Sequence, residues 1–470
     1  LSQNYNYFYT NPSYDLAQPF PKVEKVKKLI LPSQSTHNQT MELSREQQLA
    51  FDKYIEGNNV FITGPGGTGK SELIRKIYKH ATNADKRIHV CALTGCASVL
   101  LNCSAKTLHS WSGIGLGNGE FDAILKKIRS NRHSKKMWVE TDILIVDEVS
   151  MLSLKLFDLL NDVGKRIRKT PTPFGGIQVI FSGDFYQLPP VGDRDDPDTS
   201  RFCFESEEWN NVFPDQIQLK HNFRQSEESY CEILKQVREG RIKRKSHELL
   251  LKYVGRECDP DRVITKLYPT KSQVESINSK RMNALTGEVS EFKMTRNIDG
   301  KRGFTDQEIE FELDFLSNNL ICDKLVKLKI GANVMCVVNI KTDNGVELCN
   351  GSQGVVVGYC PFSHFPRVKY NNGSTMVMHP HAFVSDKISS INVSQVPLIL
   401  AWALTIHKSQ GATLDAAEID VGSGIFECGQ TYVALSRVRS LEGLYLTSYD
   451  ASKIKINKKV YEYYQKCSNQ

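Results

Sequence analysis

Short apolar runs alternate with stretches in which apolar residues return every three or four positions. The runs Val60-Phe61-Ile62, Ile88 to Leu93, Ile143 to Val146 and Ile177 to Phe181 read as buried strands. After the first run, Leu73, Ile74, Ile77, Tyr78 and Ala81 fall at helical spacing, so a helix is predicted over Glu72 to Ala81. Leu43-Ser44-Arg45-Glu46-Gln47 opens an earlier helix, with Ser44 as its N-cap. Strands alternating with helices predict an α/β fold, a parallel sheet with helices on both faces. A second α/β stretch begins near Ile217, pauses near Ala284 and resumes at Val396. Between lie β-type runs at Ala332 to Ile340, Gly354 to Tyr359, Arg367 to Tyr370 and Thr375 to His379. Asn344-Gly345 and Asn372-Gly373 are expected hairpin turns. A compact β module inserted into the second α/β domain is the simplest arrangement. The interval Gly113 to Glu140 is glycine-rich, then basic, and reads as a small insertion in the first domain. Residues 1–40 are polar and read as an irregular arm. The aromatics Tyr5, Tyr7, Phe8, Tyr9 and Tyr14 either pack on the body or stack on bases.

Composition changes this picture little. With 470 residues, 40% hydrophobic and 24% charged, the chain has the make-up of a globular protein of two to four domains. Opening on Leu1, it is expected to be part of a longer protein. The most apolar run, Val396 to Ile406, is far short of the twenty residues a membrane span needs, and no secretory signal is visible. The 12 cysteines form no C-x-x-C pair, which favours reduced thiols over a metal site or a disulfide framework. Net charge is +7, mild for this size, but Lys126 to Lys136 holds six basic residues and no acidic one. Arg238 to Lys245 holds five basic against one acidic. Each run is either a solvated face or a contact for an acidic partner.

The chemistry begins at Gly64-Pro65-Gly66-Gly67-Thr68-Gly69-Lys70-Ser71, the pattern G-x-x-x-x-G-K-S between a predicted strand and a predicted helix. Such a loop turns several backbone N–H groups toward one anion, and the helix N-terminus adds partial positive charge. Lys70 is then placed for the β- and γ-phosphates of a nucleotide and the Ser71 hydroxyl for Mg²⁺. Asp142 to Val146 leads into Asp147-Glu148, a strand tip with a Mg²⁺ contact in Asp147 and a water-polarising base in Glu148. Gly183-Asp184-Phe185-Tyr186-Gln187-Leu188-Pro189-Pro190-Val191 follows the next strand, where Gln187 can bond a γ-phosphate or the attacking water. Arg224, in Asn222-Phe223-Arg224-Gln225, and Arg437, in Leu435-Ser436-Arg437-Val438-Arg439, lie far from the loop in sequence. They are either structural ion pairs or guanidiniums brought across a cleft to a transferred phosphoryl group.

These motifs, with Val149-Ser150-Met151 after the acids, Ala401 to Asp415 and Thr431 to Arg437, occur in the order of superfamily 1 helicases. Their wording resembles the PIF-one (petite integration frequency) family of 5′-to-3′ DNA helicases. Asp162 to Gly176, with Ile167-Arg168 and Pro173-Phe174-Gly175-Gly176, is similar to that family's signature. So are Thr107-Leu108-His109-Ser110-Trp111-Ser112-Gly113-Ile114-Gly115 and Ala401-Trp402-Ala403-Leu404-Thr405-Ile406-His407-Lys408-Ser409-Gln410-Gly411. The resemblance covers about residues 40 to 450 and leaves out the arm. Pro65 departs from the Gly-Ser-Ala wording of many members, with no loss of activity expected.

The resemblance implies two RecA-like domains with ATP in the cleft between them. The expected divisions are a first domain over 41–216, its insertion at 113–140, a second domain over 217–287 and 396–470, and a β-barrel of Src-homology-three type over 288–395. ATP and Mg²⁺ are the implied cofactors. Gln47 would read adenine; residues 64–71 would cradle the phosphates; Glu148, Gln187, Arg224 and Arg437 would act with Lys70 in hydrolysis. Gln410 and Gly411 would couple nucleotide to DNA. Thr94, Gly95, Thr107, His109, Thr405 and His407 would face the single strand, with Trp111 as a stacking platform or else a core residue. The basic insertion would stand near a duplex junction. The implied partners are single-stranded DNA and duplex or forked DNA, with G-quadruplex and RNA–DNA hybrid also open. No membrane partner and a monomer in solution are expected. The location would be intracellular: nucleus or mitochondrion for a cellular protein, host cytoplasm for a viral one. Rival readings are a RecD-like helicase, a translocase that does not unwind, a binding adaptor with a dead site, and a small-molecule kinase. The adaptor would lack a base or an arginine, and the kinase has no use for a second α/β domain with its own arginine.

Overall fold

The computed structural model describes residues 43–468 except 94–100, 102, 104, 116, 118, 194, 258–263, 301–303, 321, 339, 342–346, 349–351, 372, 386, 387 and 389. The arm, Thr94, Gly95, the Asn344-Gly345 turn and Asn372 therefore lie outside the described residues.

The chain opens with α1 (Arg45–Ile55), where Ser44 and Gln47 form a reciprocal capping box. Then come β1 (Val60–Thr63), α2 (Lys70–Asn83), β2 (Ile88–Ala92), β3 (Lys106–Thr107) and α3 (Leu108–Ser112). Next are α4 (Phe121–Ser130), α5 (Arg132–Glu140), β4 (Ile143–Asp147), α6 (Leu154–Arg168), β5 (Gln178–Gly183) and β6 (Asp215–Gln218). The six strands form one parallel sheet in the order β3-β2-β4-β5-β1-β6. Alternation along β1 sends Val60 and Ile62 to one face, against Leu73, Ile74 and Ile77 of α2. Phe61 goes to the other face, into a cluster with Phe157, Phe181, Trp209 and Phe213. Each of these side chains contributes roughly 1.5–3 kcal/mol by leaving water.

The interval 113–140 is a helix pair, α4 and α5, packed through Ile124, Leu125, Ile128 and Trp138 into that second cluster. Asp162 to Gly176 clasps it. Arg168 donates from Nε to Gly175 O at 2.6 Å and from Nη1 to the carbonyls of Trp138 and Val139, both at 2.9 Å.

Two boundaries differ from expectation. Ile217, where the second α/β stretch was to begin, sits in β6, an edge strand of the first sheet. The strand is only Asp-Gln-Ile-Gln, too polar to announce itself. The last helix also crosses lobes, as described below.

The second lobe holds α7 (Glu228–Arg238), β7 (Thr265–Tyr268) and α8 (Lys271–Ala284). An inserted module follows, built on β8 (Asn333–Cys336), β9 (Gln353–Tyr359), β10 (Pro366–Tyr370), β11 (Thr375–Val377) and β12 (Leu398–Leu400). These form an antiparallel sheet in the order β11-β10-β9-β8-β12 around Val334, Val356, Val368 and Leu398. A hairpin joins β10 to β11, with Gly373 at φ 85°. The lobe resumes with β13 (Ala403–Thr405), β14 (Ala417–Val421), α9 (Gln430–Leu435) and β15 (Leu444–Tyr449). Its sheet, β13-β7-β14-β15, is again parallel.

The final helix, α10 (Lys458–Ser468), packs on the first lobe instead of the second, where the sequence reading put it. Val460 and Tyr464 join the Phe61 cluster, and Tyr464 Oη lies 2.6 Å from Thr63 Oγ1. An amphipathic helix shows which face is apolar, but not which sheet will cover it. Among the described residues no helix is long and apolar enough to cross a membrane.

Candidate functional site

The C-terminal tips of β1, β4 and β5 converge on the N-terminus of α2, and the second lobe faces them. Between lies a cavity of about 440 Å³ lined by the phosphate loop, Asp147, Glu148, Gln187, Phe223, Arg224, Gly411, Arg437 and Arg439. The turn from β1 into α2 needs glycine. Gly67 has φ 90°, and a Cβ there would stand 2.6 Å from Asn222 Oδ1 and 2.7 Å from Arg224 Cβ. Gly69 has φ 77°, and its Cβ would stand 2.5 Å from Gln47 Nε2. The loop is thus shaped by residues pressed against it as much as by its own turns.

Gln47 is buried, and its Oε1 accepts from Ser44 N at 2.9 Å while Nε2 approaches the carbonyls of Thr68 and Gly69 at 3.4 and 3.3 Å. It lies behind the loop's helix end and does not line the cavity. Thr68 Oγ1 donates to Pro65 O at 2.9 Å. Lys70 is folded onto its own loop, donating to Gly64 O at 2.6 Å and Pro65 O at 3.0 Å. Burial lowers its pKa, opposed by Asp184, Glu148 and Asp147. Gly66 N donates to Tyr432 Oη of α9 at 2.9 Å, so a phenol of the second lobe already touches the loop.

Asp147 and Glu148 are both pushed up by burial, and each carboxylate faces Lys70. The Ser71 hydroxyl turns toward Asp147. Glu148 sits in the left-handed region at φ 57°, a conformation that costs of order 1 kcal/mol or more and turns its side chain into the cleft. There Glu148 Oε2 accepts from Gln410 Nε2 at 3.1 Å. Gln410 and Gly411 thus stand beside the acid, with Gly411 on the cavity wall. Gln187 is 5% exposed, and among the described residues its Oε1 has no hydrogen-bond partner.

The two arginines reach the loop. A Cβ built on Gly66 would lie 3.6 Å from Arg437 Nη2 and 3.7 Å from Arg224 Nη1. Arg437 donates to Val433 O at 2.9 Å, Ala412 O at 3.2 Å and Ser436 Oγ at 2.8 Å. Arg224 donates to Ser436 O at 3.1 Å. Among the described residues neither forms an ion pair, so the salt-bridge alternative is set aside. Burial, then Arg437, pushes Arg224 down to about 10. A buried and a partly buried guanidinium outside any ion pair among the described residues, a glutamine oxygen left without a partner there and a glycine cradle fit a polyanion whose terminal group sits between the lobes.

Phe223 is a site residue that motif reading passed over. It is half exposed, lines the cavity, and is pinned by donation from its N–H to Gly67 O at 2.8 Å. An exposed aromatic beside a phosphate loop was the available signal.

The residues expected to face a strand divide. His109 lines a second cavity of about 640 Å³ with Met151, Lys155 and Pro190, and burial lowers its pKa. Thr107 spends its hydroxyl as the cap of α3, accepting from Ser110 N at 3.2 Å. Thr405 and His407 lie at and just past the end of β13; the Thr405 hydroxyl accepts from Lys408 N at 3.2 Å. His407 is half-buried, its pKa lowered by that burial against the pull of Glu427, with its ring nearly parallel to Phe426 at 6.3 Å. Trp111 is a correction: it is 1% exposed and packs on Trp138 with centroids 4.6 Å apart, so no base can stack on it.

Comparison with known proteins agrees with this geometry. The family profile described as PIF1-like helicase matches residues 42–248, and one described as the 2B domain of DNA helicase Pif1 matches 311–359. The ATP-dependent DNA helicase RRM3 of Saccharomyces cerevisiae is 33% identical over 91% of this chain and 67% of its own length. The crystal structure of Pif1 helicase from Candida albicans superposes with a TM-score of 0.76 at 34% identity, over 91% of this chain and 100% of that one. The Bacteroides Pif1 helicase in complex with ADP-AlF3 and ssDNA gives a TM-score of 0.65 at 26% identity, over 91% of this chain and 98% of that one. The chain spans between 60% and 67% of the length of curated relatives such as these. With a curated relative 33% identical and covered over two thirds of its length, and a Pif1 helicase structure matched over all of its own, the chain belongs to the PIF1-like helicase family.

Proposed function

We propose that this chain is an ATP-driven DNA helicase that moves 5′ to 3′ on single-stranded DNA and unwinds duplex or structured DNA. One observation carries the reading: buried Arg437 and partly buried Arg224 of the second lobe, neither in an ion pair among the described residues, meet the phosphate loop of the first. Hydrolysis in such a site depends on how the lobes are set, which is what a motor requires. The names and bound ligands of the relatives support ATP and DNA as its substrates.

In this reading residues 64–71 cradle the phosphates, and Lys70 leaves its loop carbonyls for the β- and γ-oxygens. Glu148 takes the proton of the attacking water, which Gln187 Oε1 orients. Arg224 and Arg437 neutralise the charge that develops on the transferred phosphoryl. Gln47 and Phe223 serve the base, Phe223 by stacking. Ser71 and Asp147 would hold Mg²⁺, which would neutralise phosphate charge when bound. Gln410, bonded to Glu148, links the hydrolytic acid to the strand past β13 and so to Thr405 and His407. Thr94, Gly95, Thr107 and His109 would grip the strand on the first lobe. Lobe motion between these grips would advance the chain by one nucleotide per ATP.

The RecA-like lobes are best divided at about residue 219, with 458–468 assigned to the first. The antiparallel sheet of the inserted module supports a small barrel of Src-homology-three type. Forked DNA, G-quadruplex and RNA–DNA hybrid are its candidate substrates, met by a monomer acting inside the cell, in nucleus or mitochondrion for a cellular protein and in host cytoplasm for a viral one. Strand separation on duplexes with a 5′ or a 3′ single-stranded tail tests the proposal. Unwinding from the 5′ tail is expected, and preference for the 3′ tail would overturn the direction.

A further inference from the structure

Asp184 follows β5 and is fully buried, 0% exposed. A carboxylate so placed needs a partner, and it finds one on the other lobe. Arg238, the last residue of α7, grips it with a two-pronged fork, Nε to Oδ2 at 2.9 Å and Nη2 to Oδ1 at 2.8 Å. The guanidinium lies 4.4 Å from the Tyr186 ring centre and 5.3 Å from that of Tyr464. Those two rings stack at 4.9 Å with planes 10° apart. Tyr464 is fixed in turn by Thr63 and by Phe185 N, which donates to its Oη at 3.2 Å.

Asp184 also shapes the turn that follows. Its Oδ1 accepts from Tyr186 N at 3.3 Å, and its backbone carbonyl accepts from Gln187 N at 2.8 Å. The turn that aims Gln187 into the nucleotide cavity is therefore tied to a carboxylate held by the second lobe. The helix holding it, α7, follows directly on the Asn222 to Gln225 loop that carries Arg224. It is bound to α9 by Tyr230 Oη donating to Leu435 O at 2.7 Å. At 1.5 Å per residue α7 is a rod of about 16 Å, with the loop of Arg224 leading into one end and Arg238 at the other.

We propose that Arg238 is a positioning residue for Gln187: acting through Asp184, it sets the glutamine's aim by the same helix that carries Arg224 into the cleft. Lobe closure then adjusts finger and glutamine together. The inference rests on the reading of Gln187 as the residue that orients the attacking water. If the pair were only a fastener between lobes, its loss would lower stability without passing through Gln187.

Four proteins decide it: wild type, Arg238→Lys, Gln187→Ala and the double variant, each assayed for kcat and KM of ATP hydrolysis with and without single-stranded DNA. Lysine keeps the charge that Asp184 needs but loses the planar fork. Arg238→Lys is expected to lower kcat about 10–100-fold, the scale of a small misplacement of a reacting group, with KM within about 3-fold. In the Gln187→Ala background the same change is expected to cost less than about 2-fold, because neighbours acting through one another are not additive. Additive losses, or Arg238→Lys within about 2-fold of wild type, would overturn the proposal. If Gln187→Ala alone leaves kcat unchanged, the reading of Gln187 falls and takes the proposal with it. If DNA fails to stimulate the wild type, the motor reading falls while the basal-rate cycle still decides Arg238. Should Arg238→Lys not fold, Arg238→Gln with Asp184→Asn removes both charges, and wild-type kcat in that pair overturns the proposal.

Discussion

Each lobe has a strand running straight into a helix, and the two connections differ in kind. Between β1 and α2 the chain spends residues 64–69, with Gly64, Gly67 and Gly69 all at positive φ. Between β7 and α8 it spends only Pro269 and Thr270. The first turn opens a cradle of N–H groups; the second is too short to hold an anion. The second lobe instead sends guanidiniums outward from the turn just past α9 and from the loop before α7. In the proposed function one parallel-sheet lobe thus supplies the phosphate seat and the acids, and the other supplies the charge that completes them. Neither half holds a working site, so the relative placement of the lobes becomes part of the chemistry.

Substitutions on the two sides should therefore fail differently. Lys70→Ala removes the cation at the seat itself, and hydrolysis is expected to be lost together with tight nucleotide binding, seen as kcat below detection and a raised Kd. Arg437→Ala leaves the seat intact. It should lower kcat by about 10³–10⁵, the usual worth of such a finger, while the nucleotide Kd shifts far less. Equal losses of binding in both variants would mean that the lobes share the seat after all.

Phe223 sharpens the comparison further, since it belongs to the second lobe's loop but is held by Gly67 of the first. If it stacks on the base, Phe223→Ala raises the KM for ATP by about 5–100-fold with little change in kcat, matching a stacking contribution of about 1–3 kcal/mol. A drop in kcat at unchanged KM would reassign it to the chemistry.

Much of the first half of this arrangement was legible in the residues. Strand runs, the glycine pattern and the acids at 147 and 148 lie within one short neighbourhood, where local geometry decides the outcome. What escaped was set by distant packing. Trp111 sits in a motif expected to face a single strand, yet Trp138, twenty-seven residues on, covers it. Neither β6 nor the return of α10 has a local signature, and Asp184 and Arg238 reveal themselves only once two lobes are folded together. Trp111→Ala should accordingly act on stability, costing about 3–5 kcal/mol, read from denaturant unfolding. Specific loss of DNA affinity in a folded Trp111→Ala protein would restore its role as a platform.

A smaller effect lies at the edge of the first lobe. His89 is pushed down to about 4 by burial, then by Lys106 and His133. That lies below the ordinary value of 6.5, so between these values the unfolded chain holds a proton that the native one lacks. Stability should fall as pH drops from 6.5 toward 4, levelling off below both. The unfolding midpoint against pH checks this, and His89→Gln should flatten the slope.

The central claim is that phosphate chemistry here is governed by lobe placement, which a bound strand controls. The most direct measurement is the steady-state rate of ATP hydrolysis with and without a single-stranded oligonucleotide. The account predicts a rise in kcat of at least about tenfold, abolished by Arg437→Ala. A rate indifferent to DNA, in a protein that binds both nucleotide and strand, would contradict it.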